Sequence, residues 1–262
     1  MSVTAAPHHV FEPVGGQSLA DRVAFQIETY ILNGVLKEGA RLPGERDLAD
    51  QLEVSRPKLR EALQLLEERG LINIVAGDGG FVASLSGPAM SPALIALYTR
   101  HPAALDDHLE YRRNQEAFAA RLAADRATKH DYDRLGELLA AMGKAHEAGN
   151  ERLGSELDAD FHMAIVEASY NRTLIHTMTA LYALNRSAVF FSRTELLTSP
   201  DISSALLSQH KAITARIIEG DGEEAARLSA EHIDYVRTAM TQAVAEQQRL
   251  ALSEKRAQAG TS

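Results

Sequence analysis

The spacing of apolar residues predicts three helices near the N-terminus. An apolar stripe with helical periodicity begins after Ser18, which fits an N-cap. A short helix over 45–51 follows, and then a third helix over 56–69 with Ser55 at its N-cap. Turn residues separate the three segments, so the pattern predicts three helices that pack as a group.

Two short β-rich runs follow these helices. Residues 71–75 (LINIV) and 81–84 (FVAS) flank the glycine-rich segment AGDGG at 76–80. This arrangement predicts a hairpin with a flexible tip. Three helices followed by a hairpin are the pattern of a winged helix-turn-helix.

The rest of the chain shows helical periodicity alone, which predicts an all-α antiparallel domain. The predicted helices cover 92–100, 104–127, 130–149, 151–169, 171–198, 201–219 and 222–248. The fold class is therefore mainly α, with an N-terminal winged helix-turn-helix and a C-terminal helical domain. The predicted organisation is a mobile tail (1–16), the winged domain (17–84), a linker (85–92), the helical domain (93–248) and a second mobile tail (249–262).

Composition supports two globular domains in a reducing compartment. The chain has 262 residues, of which 45% are hydrophobic, and it contains no cysteine. No apolar run approaches the roughly 20 residues that a membrane helix needs. The first residues have neither the charged nor the apolar region of a signal peptide. These features predict a cytoplasmic protein with no membrane partner.

Charge argues against a nucleic-acid partner at first sight. The formal net charge is −9, and residues 18–84 hold eight Lys/Arg against eleven Asp/Glu, a net charge of −3. The one cationic run is Arg56–Arg60. A prediction of DNA binding must therefore rest on geometry.

The start of the third helix offers that geometry. In a helix-turn-helix, the second helix of the motif enters the major groove and its first residues meet base edges and phosphates. Arg56, Lys58 and Arg60 lie there, while Arg46 on the preceding helix could reach the groove edge. Gly77 at the wing tip would let backbone approach the minor groove. The alternative is that these cations are only a solvated helix face.

The C-terminal half contains a candidate metal site. Asp158 and His162 are four residues apart and share a helix face, while His210 and His232 each replace an apolar residue on a stripe that should face inward. Three histidines and one carboxylate in a helical core would suit Zn²⁺ or a similar divalent ion. The alternative is that each histidine is an ordinary core residue.

A metal ion with open coordination positions could also receive a carboxylate effector. Arg112 falls on an inward stripe and could pair with that carboxylate in bidentate fashion. A helix salt bridge between Arg112 and Glu116 explains the same residue equally well. Asn185, within an otherwise apolar helix, is a weaker effector candidate.

Three motifs in order strongly resemble the GntR superfamily. The chain reads LPGERDLA, VSRPKLREAL and GDGGFVAS, which match the family's helix-turn-helix and wing patterns. The resemblance implies DNA contacts from three arginines, two phosphate-binding residues and the wing glycine, namely Arg46, Arg56, Arg60, Ser55, Lys58 and Gly77. Pro57 stands where the family often has Thr, which leaves operator preference open.

Residues 105–235 look like the FCD-type ligand-binding domain of the FadR subfamily. The resemblance rests on YRRNQEAFAARLAA, on D-x-x-x-H followed by SYN, on QHKAITARIIEGD and on AEHI. Metal-binding members use one Asp and three His in this arrangement, and the matching residues are Asp158, His162, His210 and His232. Zn²⁺ is the favoured ion, with Ni²⁺ and Mn²⁺ as alternatives.

The resemblance implies a homodimeric transcription regulator that binds a pseudo-palindromic operator as double-stranded DNA. The C-terminal pattern is most similar to members that answer lactate, pyruvate or glycolate. The expected behaviour is that of a repressor released by such a small carboxylate, although the direction of the response stays open. Alternatives are a sugar-acid effector, a metal-free effector module and, remotely, a metal-dependent enzyme fused to a DNA-binding head. We expect no enzyme activity.

Overall fold

The computed structural model describes residues 18–85, 101–184 and 200–259. The chain divides into two compact units, Met1–Leu85 and Ser86–Ser262. The predicted tail over 1–16, the linker beyond Leu85, the predicted helix over 92–100 and the candidate effector contact Asn185 fall outside the described residues.

The N-terminal unit begins with three helices, α1 (Leu19–Leu32), α2 (Glu45–Gln51) and α3 (Arg56–Glu68). Ser18 caps α1 through a reciprocal capping box with Asp21. Helix α3 packs against both α1 and α2. The three predicted helices are confirmed, and α3 ends one residue earlier than predicted.

A two-stranded antiparallel sheet follows, made of β1 (Ile72–Val75) and β2 (Gly79–Val82). Strand β2 begins two residues before its predicted start. The reason is the three-residue turn between the strands, in which Gly77 has a φ of 83° that favours glycine. The hairpin and the three helices form the predicted winged helix-turn-helix.

One small core holds the N-terminal unit together. It combines the inward faces of all three helices with the first and last paired residues of the hairpin. Its most deeply buried members are Ala20, Ala24, Leu59, Ala62, Leu66 and Ile72. Because α3 buries one stripe in this core, its opposite face and its N-terminal end stay exposed.

Six helices form the described part of the C-terminal unit. They are α4 (Pro102–Arg126), α5 (Lys129–Glu147), α6 (Glu151–Ala168), α7 (Arg172–Leu184), α8 (Pro200–Glu219) and α9 (Gly222–Ala259). Helix α4 packs against α6, α8 and α9, and α5 packs against α6 and α8. The fold prediction of an all-α domain is confirmed.

Helix α9 departs from the prediction at its C-terminal end. It continues to Ala259, eleven residues past the predicted end at 248. Residues 249–259 are rich in Ala, Leu, Glu, Lys, Arg and Gln, which all have high helix propensity. The segment contains no Gly or Pro. The part of the predicted mobile tail that the structure describes, 249–259, is therefore helical.

The C-terminal unit contains two clusters of buried apolar residues. One surrounds Phe161, and the other contains Leu109, Leu206 and Ile233. Buried polar residues lie on the same helices as these clusters, so the core of this unit contains polar as well as apolar side chains. Within the described ranges, none of the helices combines the length and the hydropathy required to cross a bilayer.

Candidate metal centre and nucleic-acid interface

Helix α6 carries two candidate metal ligands on one buried face. Asp158 and His162 lie one turn apart and expose 6% and 2% of their surface. Asp158 Oδ1 lies 3.7 Å from His162 Nε2. The i, i+4 spacing thus brings a carboxylate and an imidazole to the same point in the core.

Two further histidines reach this point from α8 and α9. His210 and His232 expose 0% and 1% of their surface. His210 Nε2 lies 3.5 Å from Asp158 Oδ1 and 3.2 Å from His232 Nε2. One ligand atom from each of Asp158, His162, His210 and His232 lies within 4.8 Å of all the others.

The spacing of these atoms fits a divalent ion. Bonds of about 2.0–2.1 Å from a tetrahedral Zn²⁺ hold neighbouring ligand atoms about 3.3 Å apart. Three distances within the cluster are 3.2, 3.5 and 3.7 Å. The buried His162 Nε2 atom has no hydrogen-bond partner among the described residues. Imidazole nitrogens with one carboxylate are a donor set that Zn²⁺ accepts, so the residues present fit this ion.

Burial and neighbouring charges set the protonation of the histidines. Burial lowers the pKa of His232, and the nearby His210 and His162 rings lower it further. Burial also opposes a charge on His162, but Glu116 and Asp158 outweigh it and raise the pKa of His162. His232 is therefore in the neutral form that binds a metal, whereas His162 would release a proton to solvent when an ion binds.

A buried carboxylate from α4 stands behind His162. Glu116 Oε2 lies 2.8 Å from His162 Nδ1. Its other oxygen, Oε1, accepts hydrogen bonds from Arg112 Nε at 2.7 Å and from the Tyr182 hydroxyl at 2.5 Å. Burial alone would raise the pKa of Glu116, but Arg112 and His162 hold it well below its usual range. Glu116 is thus an ionised carboxylate within the core.

Arg112 is fully buried and takes part in the same network. Its Nη2 lies 2.7 Å from Glu116 Oε1 and donates to the Tyr182 hydroxyl at 3.0 Å. The salt bridge with Glu116 that the sequence offered as an alternative is therefore formed. Arg112 Nη1 has no hydrogen-bond partner within the described ranges, which leaves one donor for a ligand. The role of Arg112 in effector binding stays a prediction.

A cavity of about 140 Å³ reaches the cluster from the side of α5 and α8. Asp158 and His210 line it, together with His146 and Ser203, whose Nδ1 and Oγ atoms are 2.8 Å apart. Neither Arg112 nor Glu116 lines this cavity. It offers water or a small ligand a route to the cluster that does not cross the arginine–carboxylate network.

The N-terminal end of α3 carries the predicted DNA-binding cations. Arg56 is exposed and forms no ion pair with another described residue. Arg60 Nε donates to Glu45 Oε2 at 2.8 Å, yet the Arg60 side chain is 67% exposed. Lys58 pairs with Glu61 at 2.6 Å and is also partly exposed. These cations therefore lie on the surface, and their pairs are of the solvated kind that a phosphate can replace.

The remaining predicted DNA contacts also lie on the surface. Arg46 on α2, Ser55 at the N-cap of α3 and Gly77 at the wing tip are exposed. The Ser55 side chain makes no capping hydrogen bond, so its hydroxyl is not committed to the helix. A cation that the sequence analysis does not single out, Arg41, holds the wing turn through Asp78 at 2.9 Å.

Sequence reasoning also misses two polar neighbours of the metal cluster, Tyr182 and Gln209. Gln209 Oε1 lies 2.8 Å from His232 Nδ1. Each of them contacts a side chain on a different helix, so residue spacing within one helix does not predict these contacts. Glu116 did carry a signal, because it lies one turn from Arg112 on the same inward stripe.

Comparison with known proteins matches both units to families. The family described as bacterial regulatory proteins, gntR family, matches residues 19–82, and the FCD domain matches residues 107–235. The Glc operon transcriptional activator of Escherichia coli K12 is 34% identical over 84% of this chain and 87% of its own length. A protein of the same organism named for regulation of an L-lactate dehydrogenase operon is 34% identical over 85% of this chain and 86% of its own.

A more distant relative and a solved structure each cover more than four fifths of this chain. The transcriptional repressor NanR of Klebsiella aerogenes is 28% identical over 86% of each chain. The structure of a Streptococcus agalactiae GntR protein covers 84% of this chain and all of its own, with a TM-score of 0.49 and 25% identity.

Proposed function

Since the chain belongs to the GntR family of bacterial transcription regulators and carries an FCD domain, we propose that a small carboxylate bound beside a metal ion releases it from its operator. The chain is a ligand-responsive regulator that binds DNA, and its family and relatives are regulators rather than enzymes. The identity of the ligand, the metal and the direction of the response are our proposal. A regulator that acts on the bacterial chromosome would work in the cytoplasm.

The proposed DNA contact is the N-terminal end of α3, inserted into the major groove. Exposed Arg56 would read a base edge, while Arg60 and Arg46 would contact bases or phosphates after Arg60 leaves Glu45. Ser55 and Lys58 would contact phosphate, and Gly77 would bring the wing backbone to the minor groove. Two chains would pair as a homodimer, which presents two recognition helices to a pseudo-palindromic operator.

The proposed metal ligands are Asp158, His162, His210 and His232, with Zn²⁺ favoured over Ni²⁺ and Mn²⁺. When bound, such an ion supplies a Lewis-acidic position for a carboxylate or hydroxyl oxygen of the effector. If the histidines are neutral, the buried charged groups among the described residues are the cation of Arg112 and the carboxylates of Glu116 and Asp158. A divalent ion reverses that excess of negative charge, and an effector carboxylate then balances it, which supports a carboxylate as the ligand.

The proposed effector is a 2-hydroxy or 2-keto acid such as lactate, glycolate or pyruvate. One relative is named for the regulation of an L-lactate dehydrogenase operon. The uncommitted Nη1 of Arg112 would bind the carboxylate, with Asn185 as a second contact. Relatives are named both as activators and as repressors, so release from DNA is our choice between two directions.

The observation that carries the proposal is the convergence of one carboxylate and three buried histidines beside a buried arginine. The test is release from operator DNA, measured by fluorescence anisotropy. The operator is first selected from random-sequence DNA by its binding to the full chain. Lactate, glycolate, pyruvate and gluconate are titrated before and after treatment with a chelator. We expect one of the first three acids to lower operator affinity, and the chelator to remove that response.

Other outcomes would replace parts of the proposal. An acid that acts equally well on protein shown to hold no metal would support a metal-free effector module instead. Selective response to gluconate would indicate a sugar acid, and tighter operator binding would reverse the sign. A useful pair of variants is His210→Ala and His130→Ala, since His130 is an exposed histidine outside the cluster. Only the former should lose metal and response while its apo form still binds DNA.

A further inference from the structure

The hydrogen-bond network around Glu116 connects the proposed metal site with the proposed effector contact. Glu116 is 3% exposed, comes from α4 and is not among the four proposed metal ligands. We propose that Glu116 is a positioning residue that orients His162 toward the metal ion and couples metal binding to effector binding through Arg112. This inference rests on the proposed metal and effector site and assigns a new role within it.

The first step concerns the two nitrogens of the His162 ring. Glu116 Oε2 lies 2.8 Å from Nδ1, whereas Asp158 Oδ1 lies 3.7 Å from Nε2. A neutral imidazole carries one N–H, and a carboxylate beside Nδ1 favours the tautomer with the proton on that atom. The lone pair is then on Nε2, which faces the cluster. Carboxylates that act in this way on metal-bound histidines fix the ring and increase its basicity.

The second step concerns the remaining oxygen of Glu116. Oε1 is 2.7 Å from Arg112 Nε, 2.7 Å from Arg112 Nη2 and 2.5 Å from the Tyr182 hydroxyl. These donors hold the carboxylate in place and compensate its charge within the core. One side chain thus contacts both the candidate metal ligand His162 and the candidate effector contact Arg112.

The third step follows from this sharing. A carboxylate effector that binds Arg112 would compete with Glu116 for the guanidinium charge. Arg112 would then compensate less of the negative charge of Glu116, and the electrostatic effect of Glu116 on His162 would be larger. A more negative partner makes His162 a stronger ligand, so the metal and the effector should each increase the affinity for the other. Linkage requires the two increases to be equal.

A second histidine provides an internal comparison. His232 Nδ1 lies 2.8 Å from Gln209 Oε1, a neutral acceptor carried by α8. Gln209 can fix the His232 tautomer, but it has no charge and, within the described part of the chain, no hydrogen bond to Arg112. Loss of Gln209 should therefore weaken metal binding without changing the coupling.

The test compares Zn²⁺ affinity of the full chain, measured by competition with a chromophoric chelator, for wild type, Glu116→Gln and Gln209→Ala. We expect Glu116→Gln to weaken Zn²⁺ binding about 10–100-fold. We also expect it to abolish the increase in Zn²⁺ affinity that a saturating acid causes in wild type, an increase that Gln209→Ala should retain. Tyr182→Phe is the matched control, because it removes a hydrogen bond to Glu116 and leaves the carboxylate beside His162.

A direct readout of positioning is the tautomer of the neutral His162 ring in metal-free protein, measured by long-range ¹H–¹⁵N correlation at a pH high enough to remove the second ring proton. We expect the Nδ1–H form in wild type and Tyr182→Phe, and a mixture of tautomers in Glu116→Gln. If Glu116→Gln fails to fold, the double variant Arg112→Gln/Glu116→Gln replaces it, because removing both members of the pair leaves neither charge uncompensated, and its Zn²⁺ affinity and His162 tautomer are compared with those of wild type.

The outcomes separate this inference from the proposed function. Wild-type protein that binds no Zn²⁺ overturns the proposed metal site and the inference with it. Equal Zn²⁺ affinity and equal tautomer in wild type and a folded Glu116→Gln overturn the inference alone. Weaker Zn²⁺ binding with unchanged coupling to the acid limits Glu116 to the histidine and overturns the link through Arg112.

Discussion

The two candidate sites use the same kind of ion pair in opposite surroundings. In the N-terminal unit, Arg60 and Glu45 pair with side chains 67% and 42% exposed. In the C-terminal unit, Arg112 and Glu116 pair with side chains 0% and 3% exposed. Solvated pairs contribute about 0–1 kcal/mol to stability, whereas breaking a buried pair costs about 3–5 kcal/mol because one charge is left without a partner.

This difference separates function from stability in one unit and joins them in the other. Cations on the exposed end of α3 can exchange a carboxylate for a phosphate with little effect on the fold. Polar residues of the candidate metal site are also part of the core, so the loss of a partner there should lower stability as well as ligand binding. Substitutions should therefore affect DNA binding alone in the first unit, and folding together with ligand binding in the second.

The largest expected effect comes from breaking the buried pair. Arg112→Met leaves Glu116 charged and buried, and we expect the free energy of unfolding of the C-terminal unit to fall by about 3–5 kcal/mol. Hydrogen exchange with mass spectrometry measures this, because it reports the two units separately. The control is Arg152→Met, which removes an exposed helix pair with Glu156. A change below about 1 kcal/mol in Arg112→Met would mean that Glu116 is not ionised in the core.

Metal binding should give the next largest effect, confined to the same unit. Free Zn²⁺ at about 100 times its dissociation constant should stabilise the C-terminal unit by about 2.7 kcal/mol, since only the folded state brings the four ligands together. A chelator titration followed by hydrogen exchange measures it. His210→Ala should remove the stabilisation and His130→Ala should retain it. Equal stabilisation of both variants would contradict the ligand set.

A smaller effect, on DNA affinity alone, is expected from Arg56→Ala. Loss of one arginine at a base edge should weaken specific operator binding by about 1–3 kcal/mol and leave stability unchanged. The measurement is anisotropy at fixed salt on the selected operator and on scrambled DNA. Arg22→Ala, an exposed arginine on α1, is the control. Equal loss on both DNAs would assign Arg56 to phosphate rather than to a base.

The two sites also differ in how far the sequence predicts them. Position along the chain is enough to predict that Ser55, Arg56 and Arg60 lie together, because they fall within two turns at the start of α3, and their contact with DNA stays a prediction. For the metal cluster, the i, i+4 spacing predicts that Asp158 and His162 share a face, but only tertiary packing brings His210 and His232 to them. Gln209 and Tyr182 act across helices and leave no local pattern. The prediction that α9 ends at 248 was wrong, because a polar, Ala-rich segment resembles a mobile tail unless its high helix propensity is taken into account.

The smallest expected effect tests the exposed pair itself. Glu45→Gln removes the carboxylate that holds Arg60 at 2.8 Å, and stability should change by no more than about 1 kcal/mol. Operator affinity should rise by at most about fivefold, because Arg60 no longer has to leave an anion before it meets DNA. Anisotropy and hydrogen exchange on the same variant measure both quantities. Weaker operator binding would show instead that Glu45 positions Arg60 for the groove, and the exposed pair would then resemble its buried counterpart in serving to orient a functional side chain.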